Sequence, residues 1–391
     1  MTRTFFLIAG EASGDRLGAS LMQGLAAADP DALFIGVGGP LMQAAGLESI
    51  FPMDELSVMG ITEVLPRLRH LLSRRDEAVD AVLSARPAAL ITIDSPDFCL
   101  RVARRVKAAA PEIRTIHYVA PTVWAWRPGR AAKMAQCIDH VLALFPFESP
   151  YMQEAGMGCD FVGHPVVCDP VPSAEEARAL RARHEIAAGV PLICVLPGSR
   201  RGEVSRLAPI FGEALRPVLA RLPEARVVIP AARHVAGEVL AAVARWPGDP
   251  VVLDPREMSA PEAETEKRRA FAASDAALAA SGTVALELAA TDTPMVVAYD
   301  MNWLSRRIIK RLIRIDTVNL VNIVTERRAV PEFIGEACRP APIAEALLET
   351  LTDGSVRAQQ LSAARETMRK LGRDGPDPGL RAARAVLDAI S

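Results

Sequence analysis

No two cysteines in this 391-residue chain stand in the Cys-x-x-Cys spacing of a zinc or dithiol motif; Cys99, Cys137, Cys159, Cys168, Cys194 and Cys338 are scattered singly. That scattered spacing suggests neither a thiolate zinc site nor a disulfide framework, and leaves reduced, buried thiols as the expectation. Long apolar runs are missing too. Gly, Pro or a charge interrupts each one well before the ~18 residues a membrane span needs. The opening run, Phe5 to Ala9, is too short for a secretory leader and reads as a first buried strand, so the protein is expected in the cytoplasm. A formal net charge of −2 supplies no excess of either sign, which argues against nucleic acid as a partner and requires any anion recognition to be local. The G-x-G-x-x-G fingerprint is likewise absent. Gly10-Glu-Ala-Ser-Gly-Asp15 follows the first strand, and Gly36-Val-Gly-Gly39 stands where a dinucleotide-binding fold carries its acid, so NAD and FAD are disfavoured.

The length exceeds what one core comfortably supports, so two domains are expected. Apolar strands alternate with helical segments: Phe5 to Ala9, Leu33 to Val37, Ala89 to Ile93, Thr115 to Val119 and Val141 to Leu144 in the first half. Leu192 to Leu196, Val227 to Pro230, Val251 to Asp254, Ala276 to Ala280 and Met295 to Tyr299 follow in the second. Continuous apolar strands of this kind suit parallel sheets covered on both faces. The fold class read from this is α/β, two Rossmann-like doubly wound domains facing each other across a cleft. Pro- and turn-rich residues from Gly163 to Ser173 place the linker, giving domains at 1–168 and 169–354. The C-terminal helices, 355–391, would return to the first domain or be exchanged in a dimer.

Two turns in the second half carry the chemistry. Leu196-Pro-Gly-Ser-Arg-Arg-Gly-Glu203 and Ala280-Ser-Gly-Thr-Val-Ala-Leu-Glu287 each place small residues and backbone amides between a strand and a helix. Helix starts carry unpaired N–H groups and partial positive charge, so the pair predicts a ligand with a diphosphate. Ser199 and Arg200 would bind phosphate, Arg200 through its guanidinium fork. Ser281, Gly282 and Thr283 would offer amides, and Glu287, one turn on, can accept both hydroxyls of a ribose. Asn319 and Asn322 follow as candidates for phosphate, sugar or base.

In the first half, Gly10 to Asp15 reads either as a tight packing turn or as a loop whose amides, with Ser13 and Gly14, hold a phosphate or sugar. Asp94, at the carboxyl end of a buried strand in Ile91-Thr-Ile-Asp-Ser-Pro-Asp-Phe98, is the candidate general base. Glu11 and Asp15 are its rivals, and Asp97 reads as a helix cap. His117, Pro121, Trp124 and Trp126 would form either core or an amphipathic wall, and His164 a hinge. Two stretches are basic and amphipathic. One has Leu65, Leu68 and Leu72 among Arg67, Arg69, Arg74 and Arg75; the other has Ile308, Ile309, Leu312 and Ile313 among Arg306, Arg307, Lys310, Arg311 and Arg314. The first is expected to meet anionic lipid through Leu65, Leu68, Arg69 and Leu72.

Taken together, Ala9 to Asp15, Val58-Met-Gly-Ile61 with Glu63-Val-Leu65, Asp94 with Pro96-Asp-Phe98, His117 to Trp126, Phe147-Glu148, Gly163-His164, Leu196 to Arg200, Ala280 to Glu287 and Pro294 to Val297 resemble the bacterial lipid-A-disaccharide synthase family. The resemblance spans nearly the whole chain. It implies the GT-B glycosyltransferase architecture and transfer of 2,3-diacylglucosamine from its UDP conjugate to the 6-hydroxyl of 2,3-diacylglucosamine 1-phosphate, with inversion and without a metal or other cofactor. It also implies Asp94 as base, Glu11 as a further catalytic residue, Arg200 at the phosphates, Ser281 to Thr283 with Glu287 at the nucleotide, and Asn322 near it. Family members are peripheral proteins on the cytoplasmic face of the inner membrane, and some form homodimers that exchange C-terminal segments. The stretch Pro255 to Glu266 departs from the family as a longer acidic loop, so no residue is carried over there. A hydrolysing UDP-sugar 2-epimerase would share the nucleotide loop but has no need of the basic apolar helix. A noncatalytic lipid-binding protein would keep that helix and need neither Asp94 nor Arg200.

Overall fold

The computed structural model describes residues 2–56, 61–124, 129–301 and 316–391; the side chains of 61–67 lie outside that description. Along the first half run helices α1 (Ala12–Ala28), α2 (Pro40–Ala44), α3 (Ile61–Ala85), α4 (Pro96–Ala109), α5 (Gly129–Met134), α6 (Ser149–Glu154) and α7 (Ala174–Arg183). The second half adds α8 (Arg201–Arg221), α9 (Ala236–Val243), α10 (Ala260–Ala273), α11 (Val284–Ala290), α12 (Leu320–Thr325), α13 (Pro340–Thr352), α14 (Gly354–Lys370) and α15 (Pro378–Ile390). The chain forms two compact units, residues 1–165 with 371–391, and residues 166–370. None of the described helices is long and apolar enough to cross a membrane.

The first unit is built on β1 (Thr4–Ala9), β2 (Leu33–Val37), β3 (Glu48–Ser49), β4 (Ala89–Ile93), β5 (Arg114–Tyr118), β6 (His140–Ala143) and β7 (Gly158–Phe161). They form a parallel sheet in the order β3-β2-β1-β4-β5-β6-β7. Phe5 through Ala9 are fully buried, as a strand covered on both faces requires. α15 returns to this unit and lies on α1. The approach is close because both helices carry glycine at the crossing: a Cβ on Gly24 would sit 2.6 Å from the Gly379 carbonyl oxygen, and one on Gly379 would sit 2.1 Å from Ser20 Oγ.

The second unit holds β8 (Leu192–Leu196), β9 (Arg226–Pro230), β10 (Val251–Leu253), β11 (Ala276–Ala280), β12 (Met295–Tyr299) and β13 (Glu332–Ile334). They form a parallel sheet in the order β10-β9-β8-β11-β12-β13. Two parallel α/β domains are thus present, as the alternation of apolar runs indicated. The C-terminal helices divide between them: α14 packs on α11 and α12, and its buried Gln360 accepts a hydrogen bond from the Met295 amide at the start of β12 (2.8 Å), so only α15 rejoins the first unit. The stretch read as an acidic loop after Leu253 is a short turn followed by α10. Ser259 and Glu262 start that helix with a reciprocal capping box, which local composition alone did not reveal.

Candidate active site

In the second unit the strand order reverses between β8 and β11. Connections leave two such strands in opposite directions, and the uncovered crevice at their carboxyl ends is where open α/β sheets take ligands. Here the crevice is a cavity of about 630 Å³. Gly198, Ser199 and Arg200 line it after β8, and Ser281, Gly282 and Thr283 after β11, so the two turns singled out in the sequence converge. Gly198 has φ +114°, and a Cβ there would sit 2.5 Å from that of Glu203; glycine is required. The Arg200 side chain is 67% exposed. Gly282 and Thr283 are exposed, with open space beside Gly282.

Three features of this cavity were not legible in the sequence. First, the amides of Ser199 and Arg200 are not open donors: both donate to Glu203 Oε2, at 3.1 and 3.3 Å, and Arg200 Nη1 lies 3.5 Å from Glu203 Oε1. Glu203 thereby caps α8 with a negative charge at its start. Second, α10 supplies a wall that includes Ala263, Glu264 and Lys267. Lys267 Nζ lies 2.8 Å from Glu287 Oε2 and 2.7 Å from Glu264 Oε2. Burial works against the ammonium, yet the Glu287 and Glu264 carboxylates outweigh it and hold the Lys267 pKa above its ordinary value. Third, Arg233 lines the cavity and donates to the carbonyls of Arg256 and Met258, tying down the turn before α10.

Asn322 is engaged within its own unit. It is buried, its Nδ2 donates to the Val330 carbonyl (2.9 Å) and its Oδ1 accepts from the Val330 amide (2.9 Å), so both ends fasten the loop before β13. Asn319 Oδ1 caps α12 through the amides of Val321 and Asn322. Neither lines the cavity.

The first unit has the same reversal of order between β1 and β4. Ala9 pairs with Ile93, which sets the loop at Gly10 beside that at Asp94. A Cβ on Gly10 would meet Ser95 Oγ at 2.6 Å. Asp94 and Ser95 both have positive φ, 51° and 42°, just before Pro96. Non-glycine residues seldom occupy that region, and each such residue costs on the order of 1–3 kcal/mol, a strain that concentrates at functional sites. Val119, at the end of the neighbouring strand β5, has φ +84°, which ends that strand one residue before the sequence suggested. Asp94 is half-buried, and its amide donates to the Tyr118 carbonyl (2.9 Å). Glu11 is the half-buried N-cap of α1 and Ser13 is exposed. Gly14 is buried, and a Cβ there would meet Ala9 at 3.3 Å and the Ile93 carbonyl oxygen at 3.4 Å, so its small size lets α1 pack closely on the sheet.

Asp15 is removed as a rival base. It is 3% exposed and accepts hydrogen bonds from the amides of Gly39 (2.9 Å), Leu41 (3.0 Å) and Met42 (3.0 Å), which caps α2. His117 is also structural: buried in β5, it shares a hydrogen bond with Thr92 Oγ1 (2.8 Å), and burial pushes its pKa down to about 4. Beyond β5 and β6 lies an aromatic cluster. Trp124 meets Phe147 edge-on (5.1 Å between centroids), Phe147 stacks on Phe145 (5.3 Å), and Phe145 lies 5.4 Å from His164. Glu148 is buried beside it and accepts from the amides of Leu144 (3.1 Å) and Phe145 (3.0 Å). Burial pushes its carboxyl up to about 7, although those amides favour the charged form. Trp126 lies outside the described residues.

In α3, Leu68 and Arg69 are exposed, Leu68 at 43%, and Leu72 is half-buried. Arg74 and Arg75 are committed to the protein. Arg74 reaches Glu55 (2.6 Å) and Glu77 (2.6 Å) and covers the Phe51 ring, while Arg75 pairs with Asp76. The Leu65 and Arg67 side chains and the second basic stretch, 306–314, lie outside the described residues.

A family model described as lipid-A-disaccharide synthetase matches residues 5–376. The chain is 58% identical to the lipid-A-disaccharide synthase of Ruegeria pomeroyi, over 98% of this chain and 95% of that one. It is 47% identical to the enzyme of the same name from Rhodospirillum centenum, over 99% and 94%. Among solved structures, the fold is similar to a putative UDP-N-acetylglucosamine 2-epimerase from Listeria monocytogenes (TM-score 0.64, 12% identity, 100% of this chain and 96% of that one). It is also similar to an MnaA–UDP co-structure from S. aureus (TM-score 0.61, 10% identity, 98% and 94%).

Proposed function

The chain belongs to the lipid-A-disaccharide synthetase family, and on that premise we propose how its two units divide the transfer of 2,3-diacylglucosamine from UDP to an acylated sugar. The second unit holds the donor. Arg200 forks one phosphate, the turn Ser281 to Thr283 offers its amides to the diphosphate, and the Glu287 carboxylate accepts the hydroxyls of the ribose. The first unit activates the acceptor, 2,3-diacylglucosamine 1-phosphate. Asp94 takes the proton of its 6-hydroxyl as that oxygen attacks the anomeric carbon, Glu11 lies on the adjoining loop, and Ser13 is the polar group there that a sugar or phosphate can reach. A single displacement inverts the anomeric centre and yields the β-1,6-linked disaccharide 1-phosphate and UDP.

Negative charge grows on the leaving UDP, so preorganised donors at its phosphates lower the barrier; losing one typically costs about 3–4 kcal/mol. The observation that carries this reading is the convergence of the Arg200 and Ser281–Thr283 turns on one cavity at the β8/β11 reversal, with Glu287 on its wall. Acylated substrates call for a membrane surface, and α3 is the proposed contact, through Leu65, Leu68, Arg69 and Leu72, on the cytoplasmic face. The test is incubation of the full chain with UDP-2,3-diacylglucosamine and the acceptor phosphate in the presence of a chelator. Disaccharide and UDP are expected in equal amounts; a folded protein that makes neither refutes the assignment.

A further inference from the structure

Lys267 is a cation of the donor cavity that the scheme above does not use. Lys267 stands on α10, and its ammonium bridges Glu264, three residues earlier on the same helix, to Glu287 on α11. The three side chains all line the cavity. Glu264 is the more exposed carboxylate, 54% against 28% for Glu287. The pair on α10 restrains the long lysine side chain, and the restrained ammonium in turn restrains Glu287. A carboxylate that must accept two neighbouring hydroxyls needs one orientation, and a glutamate free to rotate about three bonds loses side-chain entropy to adopt it.

Resting on the reading of Glu287 as the ribose acceptor, we propose that Lys267 is a positioning residue of the donor site: it holds the Glu287 carboxylate in the orientation that receives the ribose diol and so sets the preference for a ribonucleotide. The position also matters for charge. The cavity is lined by the carboxylates of Glu203, Glu264, Glu266 and Glu287 and by the cations of Arg200, Arg233 and Lys267, so an anionic ligand loses attraction when the lysine goes. The two roles separate in one measurement. Charge acts on any nucleoside diphosphate, whereas positioning acts only on one that has both hydroxyls.

The experiment is calorimetric titration of the full chain with UDP and with 2′-deoxy-UDP, in the wild type and in Lys267→Met, Lys267→Arg and Glu287→Gln, with thermal melts to establish folding. The wild type is expected to prefer UDP roughly tenfold, the scale of one hydrogen bond to a charged acceptor. Lys267→Met is expected to bring that ratio to within about twofold of unity, and Lys267→Arg to restore most of it. If the methionine variant does not fold, the same ratio is read in Lys267→Gln, which keeps a polar end at this half-buried position. Equal weakening of both ligands with the ratio intact overturns the inference and leaves only a charge effect. A ratio lost in Glu287→Gln but kept in the Lys267 variants overturns it while the reading of Glu287 stands. No preference in the wild type overturns both.

Discussion

Replacing Glu203 with glutamine is expected to tighten UDP binding at a small cost in stability. In the free protein Glu203 Oε2 accepts from the amides of Ser199 and Arg200, at 3.1 and 3.3 Å, and its side chain is only 14% exposed on the cavity wall. A carboxylate is therefore already seated on two amides of the turn whose Arg200 is proposed to fork a phosphate, and those amides are the further donors a phosphate there would use. For UDP to take them the carboxylate must withdraw. Hydrogen bonds to a charged acceptor are worth about 1.5–3 kcal/mol each, against about 0.5–1.5 for neutral ones. The bond lengths and the exposure of Ser199 and Arg200 favour the low end, so an amide acceptor lowers the cost of withdrawal by roughly 1 kcal/mol in all. Removing a negative charge about 5 Å from a phosphate adds at most ~3 kcal/mol at an effective dielectric constant near 20, and solvent at this exposed loop reduces that severalfold. A net gain of about 1–2 kcal/mol corresponds to a roughly 5- to 30-fold lower Kd. The weakened cap should cost about 0.5–1 kcal/mol of stability. Calorimetric titration with UDP beside urea unfolding reads both numbers. UDP binding that is unchanged or weaker in a folded Glu203→Gln protein would mean that the carboxylate stays in place and the phosphates bind elsewhere.

Asp94→Asn is expected to abolish disaccharide formation while changing the UDP Kd by less than about twofold, whereas Arg200→Ala should raise that Kd and lower kcat by a factor of about a hundred to a thousand; turnover assays with calorimetry separate the two, and normal turnover by Asp94→Asn removes the proposed base. Glu148 supplies a pH test. Its folded pKa, raised by burial from 4.5 to about 7, means that the folded state holds this proton more tightly, so the stabilisation is fully present below about pH 4.5 and is lost as pH rises through 7. Glu148→Gln mimics the protonated form; urea unfolding should therefore show the wild type losing up to about 3 kcal/mol relative to the variant between pH 4.5 and 8, and parallel curves would refute the raised pKa. Leu68→Asp with Arg69→Glu is expected to reduce sedimentation with anionic vesicles at least severalfold without altering UDP binding, because each basic residue near such a surface contributes about 1 kcal/mol and the leucine adds buried apolar area. Unaltered sedimentation would remove α3 as the contact.

Much of the scaffold was legible because a parallel strand buried on both faces must be apolar throughout. Ala89–Ile93, Leu192–Leu196, Ala276–Ala280 and Met295–Tyr299 stand where the apolar runs placed them. The short edge strands β3, β7 and β13 were not legible, since two to four mixed residues have no period to detect. The converging turns at Gly198 and Gly282 could be read locally, through glycine and serine between a strand and a helix. The rivalry of Asp94, Glu11 and Asp15 could not: all three carboxylates have the same chemistry, and what removed Asp15 was the start of α2 folding back onto it through three amides.

The sequence by itself determined the alternation of strands and helices, the two glycine- and serine-bearing turns between strand and helix, and the family, because each is carried by residue types in local order. Strand order, and with it the two reversals at β1/β4 and β8/β11, was decided only by tertiary structure, as were the Glu203 carboxylate on its amides, the Lys267–Glu287 bridge between α10 and α11, and the left-handed backbone at Asp94 and Ser95. Burial and hydrogen bonding between segments remote in the chain choose among groups that composition leaves equivalent.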